Sequence, residues 1–130
     1  LQYSKELFSD IDGVGHAHWI EDTANNFYKH IDTNIDIVEM VGLLDYFDDD
    51  NTVKTFKNIY NNLHEEGFFI TANILPNNER KFITNVIGWN MIYRSPEELI
   101  SLLEQAGFKK ENIFVYVEPM RIHAIAVVKK

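Results

Sequence analysis

The chain has no cysteine. Disulfides, thiolate metal sites and a cysteine nucleophile are therefore excluded, and a reducing, cytoplasmic compartment is expected. Basic residues are scarce: 12 Lys and Arg stand against 20 Asp and Glu, for a net charge of -8. Nucleic-acid binding needs a basic surface, so no nucleic-acid partner is expected. No apolar run approaches the ~20 residues of a membrane-crossing helix, so no membrane span is expected. The opening Leu1-Gln2-Tyr3-Ser4 lacks a basic segment followed by an apolar run, so no signal peptide is read there. It also lacks an initiator Met, and the chain is expected to begin partway through something.

What is present is ordinary for a folded domain. The chain has 130 residues, 45% hydrophobic and 25% charged, enough to bury a real core. Residues 1–130 read as a single domain without repeat or linker.

The pattern alternates helices and strands. Leu1 to Phe8 reads as a short helix, Ala17 to Ile20 as a short strand, and Asn25 to His30 as a helical turn. Ile35 to Leu43 is a strong strand whose nearly continuous apolar run predicts cover on both faces. Asp48-Asp49-Asp50 opens a helix, with Val53, Phe56, Ile59, Tyr60 and Leu63 on one face and Gly67 as its C-cap. Phe68 to Ile74 is the next strand, and a long excursion from Leu75 to Arg94 follows. Ser95-Pro96-Glu97-Glu98 is a capping box with Pro at the first helical position, and Gly107 ends that helix. Ile113 to Val117 and Ile122 to Val128 should form an antiparallel hairpin. The fold class is α/β, a mixed sheet closed by an antiparallel C-terminal hairpin. Ligands of such sheets sit at the carboxyl ends of the parallel strands, here Glu21-Asp22, Val41 to Asp45, and Asn73 to Asn77.

Several short patterns have plain explanations. Gly13-Val14-Gly15 follows a helix and precedes a strand, the reverse of a nucleotide-binding glycine loop, so it is a turn. His16 and His18 would share a strand face, but no third ligand stands at a recognisable spacing, and no metal site is expected. Asp48-Asp49-Asp50 lacks the alternation, glycine and distant Glu of a calcium loop and reads as a helix cap. Asp45-Tyr46-Phe47 has two readings, a turn with core aromatics or a site wall with Asp45 as acid, base or acceptor. The excursion gathers Asn73, Asn77, Asn78, Trp89, Tyr93 and Arg94, and long loops of this kind are lids or binding loops. Arg94 would clamp a carboxylate or phosphate, or else pair with Glu97 or Glu98.

These residues resemble a known family. Ile35-Asp36-Ile37-Val38 followed by Gly42-Leu43-Leu44-Asp45-Tyr46-Phe47 looks like the fourth strand of a class I S-adenosylmethionine-dependent methyltransferase. Leu63 to Ile70 is similar to the lead into the family's fifth strand, with Glu66-Gly67 where Pro-Gly-Gly is usual. Leu99 to Phe108 resembles the helix before the sixth strand, and the terminal hairpin resembles strands six and seven. More narrowly, Gly42 to Phe47, Asn73 and Trp89-Asn90-Met91-Ile92-Tyr93-Arg94 are similar to methyltransferases of fatty-acid methyl ester biosynthesis.

The resemblance implies a partial Rossmann-like methyltransferase sheet with strand order 3-2-1-4-5-7-6, entered at strand 3. It implies S-adenosylmethionine as cofactor. Asp22 would accept from the adenine amino group, Thr23 would meet the ring through its backbone, and Met40, Val41 and Gly42 would lie along the cofactor. Asp45 and Tyr46 become the catalytic candidates. Asn73, Trp89, Tyr93 and Arg94 become candidates for holding a small acceptor, with or without a carboxylate. The family's first two strands, its glycine loop and the acidic ribose holder are absent from this sequence. Strand 3 would then stand roughly 14 Å from strand 4, too far to pair. The strand at Ile35 would keep a bare edge, implying a homodimer through that edge, rearrangement of residues 1 to 30, or loss of a longer parent's first half. The isolated chain is expected to bind cofactor weakly or not at all and to be inactive. A rival reading is a noncatalytic dimerisation or partner-binding module.

Overall fold

The structure is a computed structural model that describes Tyr3, Glu6 and residues 17–130. It divides into two compact units, Leu1–Asp32 and Thr33–Lys130, each described by itself. The Gly13-Val14-Gly15 turn, His16 and most of the Leu1 to Phe8 helix fall outside the described residues; Tyr3 and Glu6 are helical.

In the first unit, Ala17 to Ile20 is not a strand, which corrects the expectation. A strand needs a hydrogen-bonding neighbour, and among the described residues none pairs with it. The helical turn is present as a 3₁₀-helix, Ala24–His30.

The second unit carries the sheet: β1 (Ile35–Met40), β2 (Leu63–Ile74), β3 (Ile113–Val117) and β4 (His123–Lys129). Two helices accompany it, α1 (Asp49–Asn62) and α2 (Pro96–Ala106). The order is β1-β2-β4-β3. β1 runs parallel to β2, while β4 is antiparallel to both β2 and β3. This is the order 4-5-7-6 that the resemblance implies.

Helix ends form where the sequence provides caps. Asp48 accepts from the Asn51 amide at 2.8 Å and starts α1. Ser95 and Glu98 complete the capping box of α2, and Gly107 ends it at φ 113°. α1 buries Thr52, Thr55, Phe56 and Ile59; α2 buries Leu99, Leu102, Leu103 and Ala106. They cover the sheet face that carries Phe69, Thr71 and Asn73, opposite Val128, Ala126 and Ala124 of β4. Phe69 meets Phe56 edge-on at 5.1 Å and stacks on Phe108 at 6.1 Å. The alanines of β4 leave room for these rings.

The opposite face stays exposed at Ile37, Phe68, Phe114 and Tyr116. This corrects the expected double cover of β1, whose Ile37 is 61% exposed. Among the described residues β1 is the terminal strand of the sheet. An apolar run can be buried on both faces only where both neighbouring layers exist, and the two helices supply one.

Gly67 is also corrected. α1 stops at Asn62, and Leu63 is already extended, so the chain passes directly into β2. The left-handed residue is Glu66, at φ 73°, not Gly67. Its carboxylate pairs with Lys129. The register of β1 on β2 jumps between Ile35 and Ile37, where residues 63–68 bulge outward.

The hairpin turn is built on one carboxylate. Glu118 accepts from the amides of Ile122, of Met120 at 2.6 Å, and of His123 at 3.2 Å. The Ile122 bond above all holds its carboxyl below the ordinary 4.5. A lowered folded pKa gives stability that is present above the ordinary value and lost as pH falls through the folded one. Protection of the Ile122 and Met120 amides against hydrogen exchange should therefore fall as pH drops below 4.5. Glu118→Gln should weaken protection at neutral pH and flatten its acid dependence.

Candidate functional site

β1 and β2 run parallel, so their carboxyl ends open on the same side. β1 ends at Met40, a buried residue whose carbonyl accepts from Thr71 Oγ1 at 2.9 Å. This bond pins the strand end to β2. Val41 is then exposed, and Gly42 turns the chain at φ 75°. A side chain at Gly42 would meet nothing within 4 Å. The surface at Val41 and Gly42 is open, with Met40 buried behind it.

A 3₁₀ turn, Leu44–Tyr46, follows and aims Asp45 inward. Asp45 Oδ1 accepts from Asn73 Nδ2 at 2.7 Å and from the Ile74 amide at 2.8 Å. Its carbonyl accepts from the Ile92 amide at 2.7 Å. Asn73, fully buried, also donates to the Ile92 carbonyl at 2.9 Å. One carboxylate and one amide thus join the turn after β1, the end of β2 and the far end of the excursion.

Arg94 completes the network. Its Nε donates to Asp49 Oδ1 at 3.0 Å. One terminal nitrogen donates to the Leu44 carbonyl at 3.2 Å and to Asn73 Oδ1 at 2.7 Å. The other donates to the Phe47 carbonyl at 2.6 Å and to Asp49 Oδ1 at 2.8 Å. A guanidinium has five N–H groups, and all five are engaged within the chain. The ion pair is to Asp49, not to Glu97 or Glu98. A cavity of about 320 Å³ lies beside it, lined among others by Asp49, Tyr93, Glu98 and Gln105.

The outer wall is aromatic. Trp89 Nε1 donates to the Tyr46 hydroxyl at 2.8 Å, and both rings are about half exposed. The oxygen of Tyr46 accepts this bond, which leaves its own proton free to be donated outward. Tyr93 is buried beneath the Arg80 guanidinium at 4.9 Å, and its hydroxyl has no partner.

Asp45, Asn73 and Arg94 therefore meet in one network, and Tyr46 meets Trp89. Asp22 and Thr23 belong to the first unit. There Asp22 accepts from the Thr23 amide, Asn26 Nδ2 and His30 Nε2 at 2.7, 2.9 and 2.8 Å. The Asn26 bond first, then those of His30 and Thr23, hold its carboxyl well below the usual range. Sequence reasoning assigned Asp49 to capping alone and missed its bond to Arg94. An acid in a helix's first turn is its only local signal. The Tyr46–Trp89 bond left no local signal.

No family model and no curated sequence matches the chain. Solved structures do. A possible exported protein from Bordetella parapertussis superposes with TM-score 0.69 at 19% identity, over 84% of this chain and 42% of that one. An O-methyltransferase family protein from Burkholderia thailandensis gives 0.63 at 11%, over 87% and 35%. Human N-acetylserotonin methyltransferase, solved in complex with SAM, gives 0.58 at 18%, over 73% and 29%. The chain spans less than half the length of these structures. Its fold is that of the class I S-adenosylmethionine-dependent methyltransferases. More particularly, its strand order corresponds to strands four to seven of that sheet.

Proposed function

We propose that the chain is the carboxy-terminal part of an S-adenosylmethionine-dependent methyltransferase acting on a small acceptor. The observation that carries this reading is the network at the carboxyl ends of β1 and β2, set in a methyltransferase sheet order. Met40, Val41 and Gly42 would lie along the cofactor, and the open space at Gly42 fits a ligand there. Bound there, the cofactor supplies a methyl group on a sulfonium. Catalysis of such a transfer is chiefly positioning of the acceptor. Asp45, Asn73 and Arg94 are positioning residues that fix the wall. Tyr46 would face the acceptor and hydrogen-bond to it through its hydroxyl, with Trp89 setting the ring. A carboxylate on the acceptor would have to displace one of the five Arg94 bonds. An uncharged, hydrogen-bond-accepting group at Tyr46 therefore suits this geometry better. The fatty-acid methyl ester class, whose acceptor is itself a carboxylate, would require that displacement.

A titration of the labelled chain with S-adenosylhomocysteine, followed by NMR, tests it. Saturable shifts confined to the amides of Met40, Val41 and Gly42 are expected, with weak affinity. No shift at millimolar ligand would mean that this chain by itself has no working cofactor site. The open edge of β1 would then favour a partner-binding module.

A further inference from the structure

The excursion between β2 and α2 presents its apolar side to solvent. Arg80–Phe82 form an α-helical turn that continues as a π-helical turn, Ile83–Ile87, closed by Gly88 at φ 78°. Residues 80–87 thus make one short helical segment. An amphipathic helix normally buries its apolar stripe. Here Ile83 and Thr84 are half-buried, whereas Phe82 is 57% exposed, Val86 70% and Ile87 59%. Trp89 follows at 52%. Four large apolar side chains project outward within eight residues, a density far above scattered exposed hydrophobics.

The charge along this stretch of chain is equally local. From Gly67 to Arg94 there is one acid, Glu79, and three bases, Arg80, Lys81 and Arg94, in a chain of net charge -8. Arg94 is neutralised by Asp49. Arg80 and Lys81 stand exposed at the start of the segment. An outward apolar face with a tryptophan, flanked by basic residues, is the pattern of a segment lying in a lipid–water interface. The acids elsewhere oppose approach to anionic lipid only within the Debye length, about 8 Å at physiological salt.

We propose that residues 80–89 dock on a lipid bilayer surface, with Phe82, Val86, Ile87 and Trp89 entering the headgroup boundary and Arg80 and Lys81 meeting lipid phosphates. This is surface attachment: among the described residues no helix is long and apolar enough to cross a membrane. It does not rest on the methyl-transfer reading.

The sequence has two tryptophans, so Trp19→Phe leaves Trp89 as sole reporter. Phosphatidylcholine vesicles, with and without phosphatidylglycerol, should shift Trp89 emission to the blue, and phosphatidylglycerol should tighten binding. Phe82→Ser, Val86→Ser and Ile87→Ser combined should weaken binding at least about tenfold. Because those side chains are exposed, the melting temperature should stay unchanged, which separates lost docking from lost folding. Lys81→Glu should remove the phosphatidylglycerol increment alone. Absence of a shift on either vesicle, or undiminished binding by the triple variant, would overturn the proposal. So would a dimer in sedimentation that the triple variant dissociates while vesicles fail to bind, since a second copy would then cover the face.

Discussion

Replacing Arg94 with Met should destabilise the second unit by about 4 kcal/mol, a large share of the 5–15 kcal/mol typical of a domain. The Coulombic part is small, because Asp49 is 72% exposed and its attraction is screened. The cost comes from the acceptors left behind. Asn73 Oδ1 and the carbonyls of Leu44 and Phe47 would lose donors in a buried place. Each such orphan costs about 1–3 kcal/mol, and neighbours in one network do not add fully. Arg94→Lys should recover only part of this. An ammonium is a point charge and cannot span three backbone and side-chain oxygens as a planar fork does. The check is denaturant unfolding: the midpoint should fall sharply for Met, less for Lys, with the slope unchanged. A midpoint equal to that of the parent chain would mean the five bonds carry no weight.

Gly67→Ala should destabilise the sheet by about 2 kcal/mol, within the 1–3 kcal/mol range for overpacking. A Cβ there would stand 2.8 Å from the His64 carbonyl oxygen and 3.1 Å from those of Asp36 and Ile35. All three are backbone atoms, so relief requires moving the bulge or separating β1 from β2. The backbone at Gly67 is not left-handed, so conformational entropy alone would make alanine mildly stabilising. The sign of the measured change therefore decides between steric and entropic control. Gly42 makes the reverse case: its Cβ would meet open space, and only its φ of 75° resists substitution.

The elements that local rules govern were legible in the sequence. The cap at Asp48, the capping box at Ser95 and the left-handed stop at Gly107 each depend on residues within a few positions. The terminal hairpin and the strand order followed from alternation and from the family resemblance. Gly67 was misread because a glycine after a helix suits a C-cap as well as it suits a tight crossing of strands. The difference lies in β1, some thirty residues away. The cover of β1 was misread because an apolar run records what a strand prefers, not which layers are present. The candidate site was legible as a set of positions, since strand ends and long excursions mark it, although Asp22 and Thr23 fall in the other unit. Its wiring was not. The Arg94–Asp49 pair spans 45 residues and the Trp89–Tyr46 bond spans 43, and no local pattern encodes such distances.

The Thr71–Met40 bond and the Asp45–Asn73–Arg94 network have a consequence for local opening. The far end of the excursion is held at Ile92 by Asp45 and at Arg94 by the first turn of α1. Peeling residues 75–94 from the sheet therefore also releases the helix start and the turn after β1. Segments that look separate in the chain open as one cooperative unit, and the mouth of the sheet keeps its shape until all of them give way.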